Sequence, residues 1–216
     1  MKILSLLVLI LLFMVAPLNS AVLVGFGEGT GVYVSDSFTG ANGAALSGNW
    51  THNSAPDGFW GNFLIWINEA TTPSNRTGYA YWSADTFTAN HKSCAEIRGT
   101  LSTTSGYAGV TVRHSTAAST KTNYTLLQIN GTYSLIKTVA GTDTSLLTLT
   151  ETPVLNDVIC LSATGSSTTT LSATVNGGTA QTYDDSSSPI TTGQPGIIAR
   201  KSTQEPKLDN WTGEDL

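Results

Sequence analysis

The sequence predicts an all-β protein in which two antiparallel sheets pack face to face. Beyond the N-terminal segment, apolar residues recur at every second position, which is typical of strands, and not at the three- and four-residue spacing of helices. The apolar runs are short and are separated by Gly, Asn, Asp and Pro. Many short strands without helices bury their apolar faces by packing as two sheets.

Each strand is predicted from this alternation and from the turn residues that bound it. Two turns carry hairpin signals, Asn130-Gly131 and Asn176-Gly177-Gly178, because residues that accept positive φ match the twist of a tight hairpin. The predicted strands are 32–37, 63–68, 79–83, 93–101, 108–114, 124–129, 133–139, 145–150, 158–163, 170–175, 180–183, 196–200 and 207–212.

The first residues have the pattern of a secretion signal. A basic start, an apolar run over 3–15 and small residues up to Ala21 predict a signal peptide at 1–21, cleaved after Ser20 or Ala21. An uncleaved anchor is the alternative, because the cleavage motif is imperfect. We therefore expect one domain, 22–216, in a secreted protein that is extracellular or periplasmic.

The charge balance restricts the class of partner. Charged residues make up only 12% of the chain, and the net charge is −5. Nucleic acids and anionic membranes attract clustered Lys and Arg, so we expect no nucleic-acid partner and no membrane partner after signal cleavage. A surface of Ser, Thr, Asn and Gly suits uncharged polar ligands. The oligomeric state is left open.

Cys94 and Cys160 are the two cysteines of the chain, and both lie within predicted strands. In each strand the cysteine alternates with apolar neighbours, so both cysteines point away from the core face. Two cysteines in the same phase of a secreted chain suggest one disulfide between neighbouring strands. Two buried free thiols are the alternative.

Several segments together resemble a known superfamily. DSFTG at 36–40 followed by Asn49-Trp50, then GQPGII at 193–198 and LDNW at 208–211, resemble the opening and closing of laminin-G-like, concanavalin A-like jelly rolls. Pentraxins share this fold and carry a disulfide between two strands at a separation close to the 66 residues found here.

The resemblance implies a fold and a function class. The fold is a two-sheet antiparallel jelly-roll sandwich whose first and last strands lie side by side, which brings the segments of Asp36 and Asp209 together. The function is non-catalytic carbohydrate binding, as in a lectin, or extracellular adhesion, with a polysaccharide or glycan as partner. A structural or adhesion subunit of a phage particle or a cell surface is a further alternative.

A diverged polysaccharide lyase or glycoside hydrolase is the enzymatic alternative. The paired glutamates of laminarinase-type hydrolases have no counterpart in the sequence. Glu96-Ile97-Arg98 and Gln128-Ile129 resemble two strand motifs of alginate lyases, but Asn130 stands where those enzymes have histidine. The missing histidine removes an acid–base group, so we interpret this match as shared strand geometry.

Aromatic and polar side chains give the candidate ligand site. Trp60 lies in a predicted loop and is the best candidate for an exposed ring on which a sugar stacks, whereas Trp66, Trp82 and Trp211 are expected in the core. The polar residues in the opposite strand phase are predicted to line one open sheet face and bind the ligand, with an ordinary solvated face as the alternative. They are Glu96, Arg98, Arg113, Gln128 and Lys137.

The remaining titratable groups give weaker signals. Asp184, Asp185 and Asp209 are candidate calcium ligands, although calcium takes six to eight oxygens and adjacent aspartates are also common in polar turns. The histidines, His52, His91 and His114, stand at no metal-ligand spacing and are expected at the solvated surface.

Overall fold

A computed structural model describes residues 31–53, 62–73, 75–99, 106–117, 121–202 and 205–216. The predicted signal peptide at 1–21 lies outside the described residues, and its cleavage stays a prediction. In the part of the chain that is described, no helix is long and apolar enough to cross a membrane.

The regular elements of the described chain are β-strands. They are β1 (Tyr33–Asp36), β2 (Trp50–His52), β3 (Leu64–Ile65), β4 (Ala70–Thr71), β5 (Thr77–Trp82), β6 (His91–Ile97), β7 (Tyr107–His114), β8 (Asn123–Ile129), β9 (Thr132–Val139), β10 (Thr142–Thr148), β11 (Val158–Thr164), β12 (Thr169–Val175), β13 (Gln181–Asp185), β14 (Gln194–Arg200) and β15 (Leu208–Asp215).

The strands form two antiparallel sheets. The eight-stranded sheet has the order β13-β12-β11-β6-β15-β4-β3, and β1 pairs with β15 outside this path. The seven-stranded sheet has the order β10-β9-β8-β7-β14-β5-β2. The large apolar side chains of both sheets meet in one core between them. The predicted fold class, an all-β two-sheet jelly-roll sandwich, is confirmed.

The opening and closing segments of the chain meet, as the resemblance implied. Asp36 lies opposite Trp211 in the antiparallel pairing of β1 with β15. The buried Asp36 carboxylate accepts hydrogen bonds from Phe38 N (2.7 Å) and from the indole nitrogen of Trp50 (2.8 Å). These bonds satisfy a carboxylate that would otherwise be costly to bury.

Three tryptophans occupy the centre of the core. The ring of Trp50 lies 5.5 Å from that of Trp82 and 4.6 Å from that of Trp211. The core positions predicted for Trp82 and Trp211 are confirmed. Trp66 instead lies in the turn between β3 and β4 with 44% of its surface exposed, so the core prediction is wrong for this residue.

Both predicted hairpin turns are present. Asn130 and Gly131 connect β8 to β9 with φ values of 52° and 72°. Asn176 and Gly177 follow β12 with φ values of 52° and 66°. In both turns an asparagine and a glycine take the left-handed conformation that most residues avoid.

The cysteines form the predicted disulfide. Cys94 on β6 and Cys160 on β11 are directly opposite each other, and their Cα atoms are 4.1 Å apart. The bond fastens two neighbouring strands of the eight-stranded sheet.

Candidate functional site

The seven-stranded sheet carries apolar side chains on both of its faces. One face packs against the eight-stranded sheet. On the other, which we call the outer face, Tyr79, Leu127 and Ile198 form a second hydrophobic cluster, and Tyr107 and Ile129 pack against it. These residues alternate with the core residues along β5, β7, β8 and β14, so the period of two places them together.

A cavity of about 80 Å³ opens at this cluster, and we call it the tyrosine pocket. Gly109, which has no side chain, lies between Ile198 and Leu127 in the strand register. Apolar groups and polar groups both contribute to the lining, which comprises Tyr79, Tyr107, Lys121, Thr125, Leu127, Ile129, Ile136, Thr138, Asp143 and Ile198.

The polar side of the pocket is an ion pair held in place by neighbours. Lys121 Nζ lies 3.0 Å from Asp143 Oδ1 and 4.9 Å from the centre of the Tyr79 ring. Thr138 donates a hydrogen bond to the same Asp143 oxygen (2.7 Å). About half of the Asp143 side chain is exposed, so its carboxylate can still accept a hydrogen bond from a ligand. The same carboxylate neutralises the charge of Lys121.

The two tyrosines of the pocket are protonated at neutral pH. Burial, followed by the proximity of Tyr107 and Asp143, raises the pKa of Tyr79. Burial also raises the pKa of Tyr107. Tyr107 is half-buried, and its hydroxyl lies 3.3 Å from Thr77 Oγ1. Tyr107 therefore offers a partly exposed ring and a neutral phenol. Tyr79 is buried beneath Lys121 and forms the floor of the pocket, and neither tyrosine is a phenolate base.

His114 lies beside the pocket in a buried polar cluster. Its ring stacks on Tyr81 with centroids 5.6 Å apart, and its Nε2 atom is 2.9 Å from Asn53 Nδ2. Its Nδ1 atom is 3.4 Å from Asn123 Nδ2. Burial, reinforced by the charge of Lys121, lowers the pKa of His114 to about 3, so the ring is neutral. Asn53 Oδ1 is buried with no hydrogen-bond partner among the described residues.

The other histidines are also partly or fully removed from solvent. His91 is fully buried, where its Nδ1 atom bonds Thr88 O (2.7 Å) and its Nε2 atom accepts from Arg113 N (2.9 Å). Burial lowers the pKa of His91 and of His52. The expectation of solvated surface histidines is therefore wrong for His91 and His114, whose rings are buried.

The five polar residues predicted to share one sheet face lie in three different places. Glu96 lies on the outward side of β6, in the eight-stranded sheet, and Arg98 directly follows that strand. Arg98 lies 3.3 Å from both Glu96 and Asp209, and Glu96 accepts from Asn210 (2.8 Å). The expectation of one shared face is wrong, whereas a ligand-binding role for this half-buried set stays a prediction.

Arg113 is completely buried at the end of β7 and links the two sheets. It has φ of 51°, which breaks the strand alternation at this point. Its guanidinium donates to Thr169 Oγ1, Gly165 O and Ile190 O at 2.6 Å each. These bonds make Arg113 a structural cross-link and leave it without access to a ligand, which corrects the sequence prediction.

Lys137 and Gln128 point into the sandwich, because they share the phase of the core residues of β9 and β8. Lys137 forms an ion pair with Asp185 (2.6 Å), which also accepts from the Tyr124 hydroxyl. Burial opposes ionisation of Asp185, but the bonds from Lys137 and Tyr124 outweigh it and lower its pKa. Gln128 is buried, with no partner for Oε1 in the described part of the chain. The geometry thus places neither Lys137 nor Gln128 on a ligand face.

The three candidate calcium ligands do not converge. Asp184 and Asp185 are on β13 and Asp209 is on β15, and three strands lie between them. Asp184 accepts from Thr170 (2.7 Å), and Asp209 pairs with Arg98. Across the described ranges, no group of three or more His, Cys, Asp or Glu side chains is arranged to hold a metal ion. The three aspartates therefore do not share one calcium site, and calcium binding at either Asp184-Asp185 or Asp209 stays a prediction.

Trp60, the predicted stacking residue, lies outside the described residues. The sequence analysis did not single out Tyr107, Lys121 or Asp143. One signal was available: β8 reads Asn-Tyr-Thr-Leu-Leu-Gln-Ile, with apolar residues in both phases. A strand of that pattern is covered on both faces, which indicates a feature on the outer face.

Comparisons with solved structures agree on the fold. The carbohydrate-binding module CBM66 from Bacillus subtilis is 15% identical, with a TM-score of 0.58 over 77% of this chain and 96% of that chain. A seed lectin from Lotus tetragonolobus is 10% identical, with a TM-score of 0.52 over 86% of this chain and 99% of that chain.

A longer protein also contains a similar sandwich. The GH43 protein BlXynB from Bacillus licheniformis is 14% identical, with a TM-score of 0.54 over 84% of this chain and 39% of that chain. No protein-family model matches the sequence, and no curated protein is significantly similar to it. The chain therefore has the concanavalin A-like jelly-roll fold, and at these identities the likeness extends to the fold alone.

Proposed function

We propose that this protein is a secreted, non-catalytic carbohydrate-binding domain that binds its glycan at the tyrosine pocket. The observation that carries the proposal is the partly exposed ring of Tyr107 beside the hydrogen-bonding side chains of Lys121 and Asp143 around one cavity. Sites for small ligands combine a mostly apolar lining with a few placed polar groups in this way.

The chemistry of the pocket matches an uncharged sugar. One face of a pyranose ring presents C–H groups that pack on an aromatic ring, while its hydroxyls both donate and accept hydrogen bonds. Lys121 supplies donors and Asp143 supplies acceptors, and their charges cancel. A neutral rim of this kind favours a neutral ligand over an anionic or cationic one.

The protonation states favour binding over catalysis. A lyase or hydrolase needs a group that takes up or releases a proton near neutral pH. Burial keeps the Tyr79 and Tyr107 phenols protonated and His114 neutral, because it raises the pKa of the first two and lowers that of the third. The proposal accordingly assigns binding, and no chemical step, to these side chains.

The fold and the disulfide are consistent with this role outside the cell. Solved structures of the same fold include a carbohydrate-binding module and a seed lectin. The Cys94–Cys160 disulfide is typical of proteins in an oxidising compartment. Both observations support secretion to the extracellular space or the periplasm.

A glycan and polysaccharide array with residues 22–216 tests the proposal, run once with calcium and once with a chelator. The best ligand is then measured by calorimetry against Tyr107→Ala. We expect this change to weaken binding about tenfold, equivalent to about 1.4 kcal/mol, through the loss of one ring face. Tyr33→Ala is the matched control, because Tyr33 is 42% exposed on β1 of the other sheet.

The outcomes separate clearly. Unchanged affinity in Tyr107→Ala, with the variant folded, would place the site elsewhere on the surface. A blank array with folded, oxidised protein would remove the carbohydrate-binding proposal for the sugars tested. Loss of binding in the chelator alone would show a metal requirement that the described residues do not explain.

A further inference from the structure

The turn between β3 and β4 exposes large apolar side chains at the end of the sandwich. Trp66 is 44% exposed and Ile67 is 63% exposed, whereas the other tryptophans in the described residues are at most 5% exposed. Burying an indole side chain contributes strongly to the stability of a folded protein, because it removes a large apolar surface from water. A tryptophan kept at the surface beside an isoleucine therefore calls for an explanation.

The backbone of this turn is held in an unfavourable conformation. Ile67 and Asn68 have φ values of 54° and 55°. The turn is closed by Trp66 N donating to Glu69 O (2.8 Å) and Glu69 N donating to Trp66 O (3.2 Å). Such two-residue hairpins favour Asn-Gly, and a β-branched residue at positive φ is a genuine outlier. Strained positions of this kind persist where the surrounding structure fixes them, and they cluster at ligand sites.

Two asparagine side chains fix the turn. Asn42 Oδ1 accepts from Ile67 N (2.7 Å), and Asn68 Oδ1 accepts from Gly40 N (3.3 Å). Because backbone N–H groups require an oxygen at these positions, the orientation of each amide is determined. The amide nitrogen of each asparagine then keeps its N–H groups for a ligand, because neither has an acceptor in the described part of the chain. Both side chains are exposed.

Beyond Ile67, the turn that carries the indole ends in a polar ion pair. Glu69, which ends the turn, pairs with Lys207 (2.8 Å). A stable protein interface buries on the order of 800 Å² on each partner, far more than two side chains offer. An exposed indole, in a turn whose two asparagine amides keep N–H donors unused, matches a sugar ring, which needs one stacking surface and donors to its hydroxyl oxygens.

We infer that Trp66, with the amides of Asn42 and Asn68, forms a second saccharide-binding platform that is distinct from the tyrosine pocket. This inference rests on the proposed function, because it also takes a saccharide as the ligand. β3 is the edge strand of the eight-stranded sheet, whereas the pocket lies on the seven-stranded sheet. A polysaccharide with many repeats therefore binds by two contacts, which raises its apparent affinity above that of a short oligosaccharide.

The test is a titration followed by NMR with soluble hexasaccharides of cellulose, laminarin, chitin and mannan at millimolar concentration. The indole N–H resonance of Trp66, assigned with Trp66→Phe, reports on the platform. The backbone amides of Leu127 and Ile198 report on the pocket. We expect the indole resonance to shift with at least one hexasaccharide, and to shift equally in Tyr107→Ala. Trp66→Ala is expected to weaken binding to the parent polysaccharide about tenfold, with Tyr33→Ala as the control.

Each other outcome has a distinct meaning. Shifts at Leu127 and Ile198 without a shift at the Trp66 indole overturn the platform and leave the proposed function standing. A shift at the indole alone supports the platform and overturns the pocket. No shift at either place overturns both. The indole resonance could instead shift when the protein concentration is raised and not when sugar is added. That result overturns the platform and indicates that Trp66 lies in a self-association contact.

Discussion

Lowering the pH from about 7 to about 5 should destabilise this protein through His114. The fully buried ring has its pKa lowered from 6.5 to about 3, because of burial and the nearby charge of Lys121. The unfolded chain therefore binds more protons than the folded one between these two values, and acid favours unfolding. This contribution to stability is complete above the unfolded pKa and is lost as the pH falls towards the folded one.

The magnitude follows from the two pKa values. At about pH 5 the unfolded histidine is almost fully protonated and the folded one is not, which removes about 2 kcal/mol of unfolding free energy relative to about pH 7. Burial also lowers the pKa of His52 and His91, and these add a loss of the same sign. A variant that lacks only the His114 ring isolates its share.

The assay is urea unfolding of the wild type and of His114→Gln at both pH values. We expect the wild type to lose about 2 kcal/mol more than the variant between the two conditions, whatever the stability of the variant at neutral pH. His52 and His91 are present in both proteins and cancel in the difference. Equal losses in the two proteins would refute the buried, neutral state assigned to His114.

Three further predictions concern stability and are checked by urea or thermal unfolding. Replacing Cys94 and Cys160 by Ala opens a loop of 66 residues and should cost about 4 kcal/mol, and a cost below about 1 kcal/mol would contradict the loop-closure reasoning. Gly109→Ala would bring a Cβ to 2.2 Å from Leu126 O and should cost about 3 kcal/mol, whereas Gly48→Ala, with open space around it, should be nearly neutral. Asp185→Asn leaves its buried lysine partner without a counter-charge and should cost about 3 kcal/mol, and a change below about 1 kcal/mol would contradict the assigned ion pair.

Long strands could be read from the sequence, and very short ones could not. β11 and β12 show several cycles of alternation, and the observed strands extend the predicted ranges by a single residue at one end. β2 and β4 have three and two residues, which is too short for a period to show. The predicted strand 63–68 likewise contains only β3 before the turn at Trp66.

The polar interior could not be predicted, because its partners come from distant parts of the chain. Lys137 shares the phase of the apolar residues around it, and the usual rule places a lysine outside. Asp185, on the other sheet, reverses that rule by supplying a counter-charge. Arg113 has a positive φ, so its side chain does not follow the alternation of its strand. No local residue pattern predicts that conformation.

The tyrosine pocket was not predicted from the sequence. Stacking aromatics and a glycan ligand were expected with Trp60 as the candidate ring, and Trp60 lies outside the described residues. Lys121 and Asp143 follow no motif, since they meet only when β8, β9 and β10 lie side by side. Trp66 was expected in the core because its strand was expected to continue through the turn.

The pairing of β1 with β15 determines how the domain responds to a mechanical load. Tyr33 lies opposite Glu214 and Asp36 lies opposite Trp211, so a force that separates the two ends peels the strands apart one pair at a time. An antiparallel pair loaded from one end opens like a zipper, because its hydrogen bonds lie along the pulling direction and break in sequence. The Cys94–Cys160 bond limits the extension that follows, since the residues between the two cysteines cannot be drawn out while it is intact.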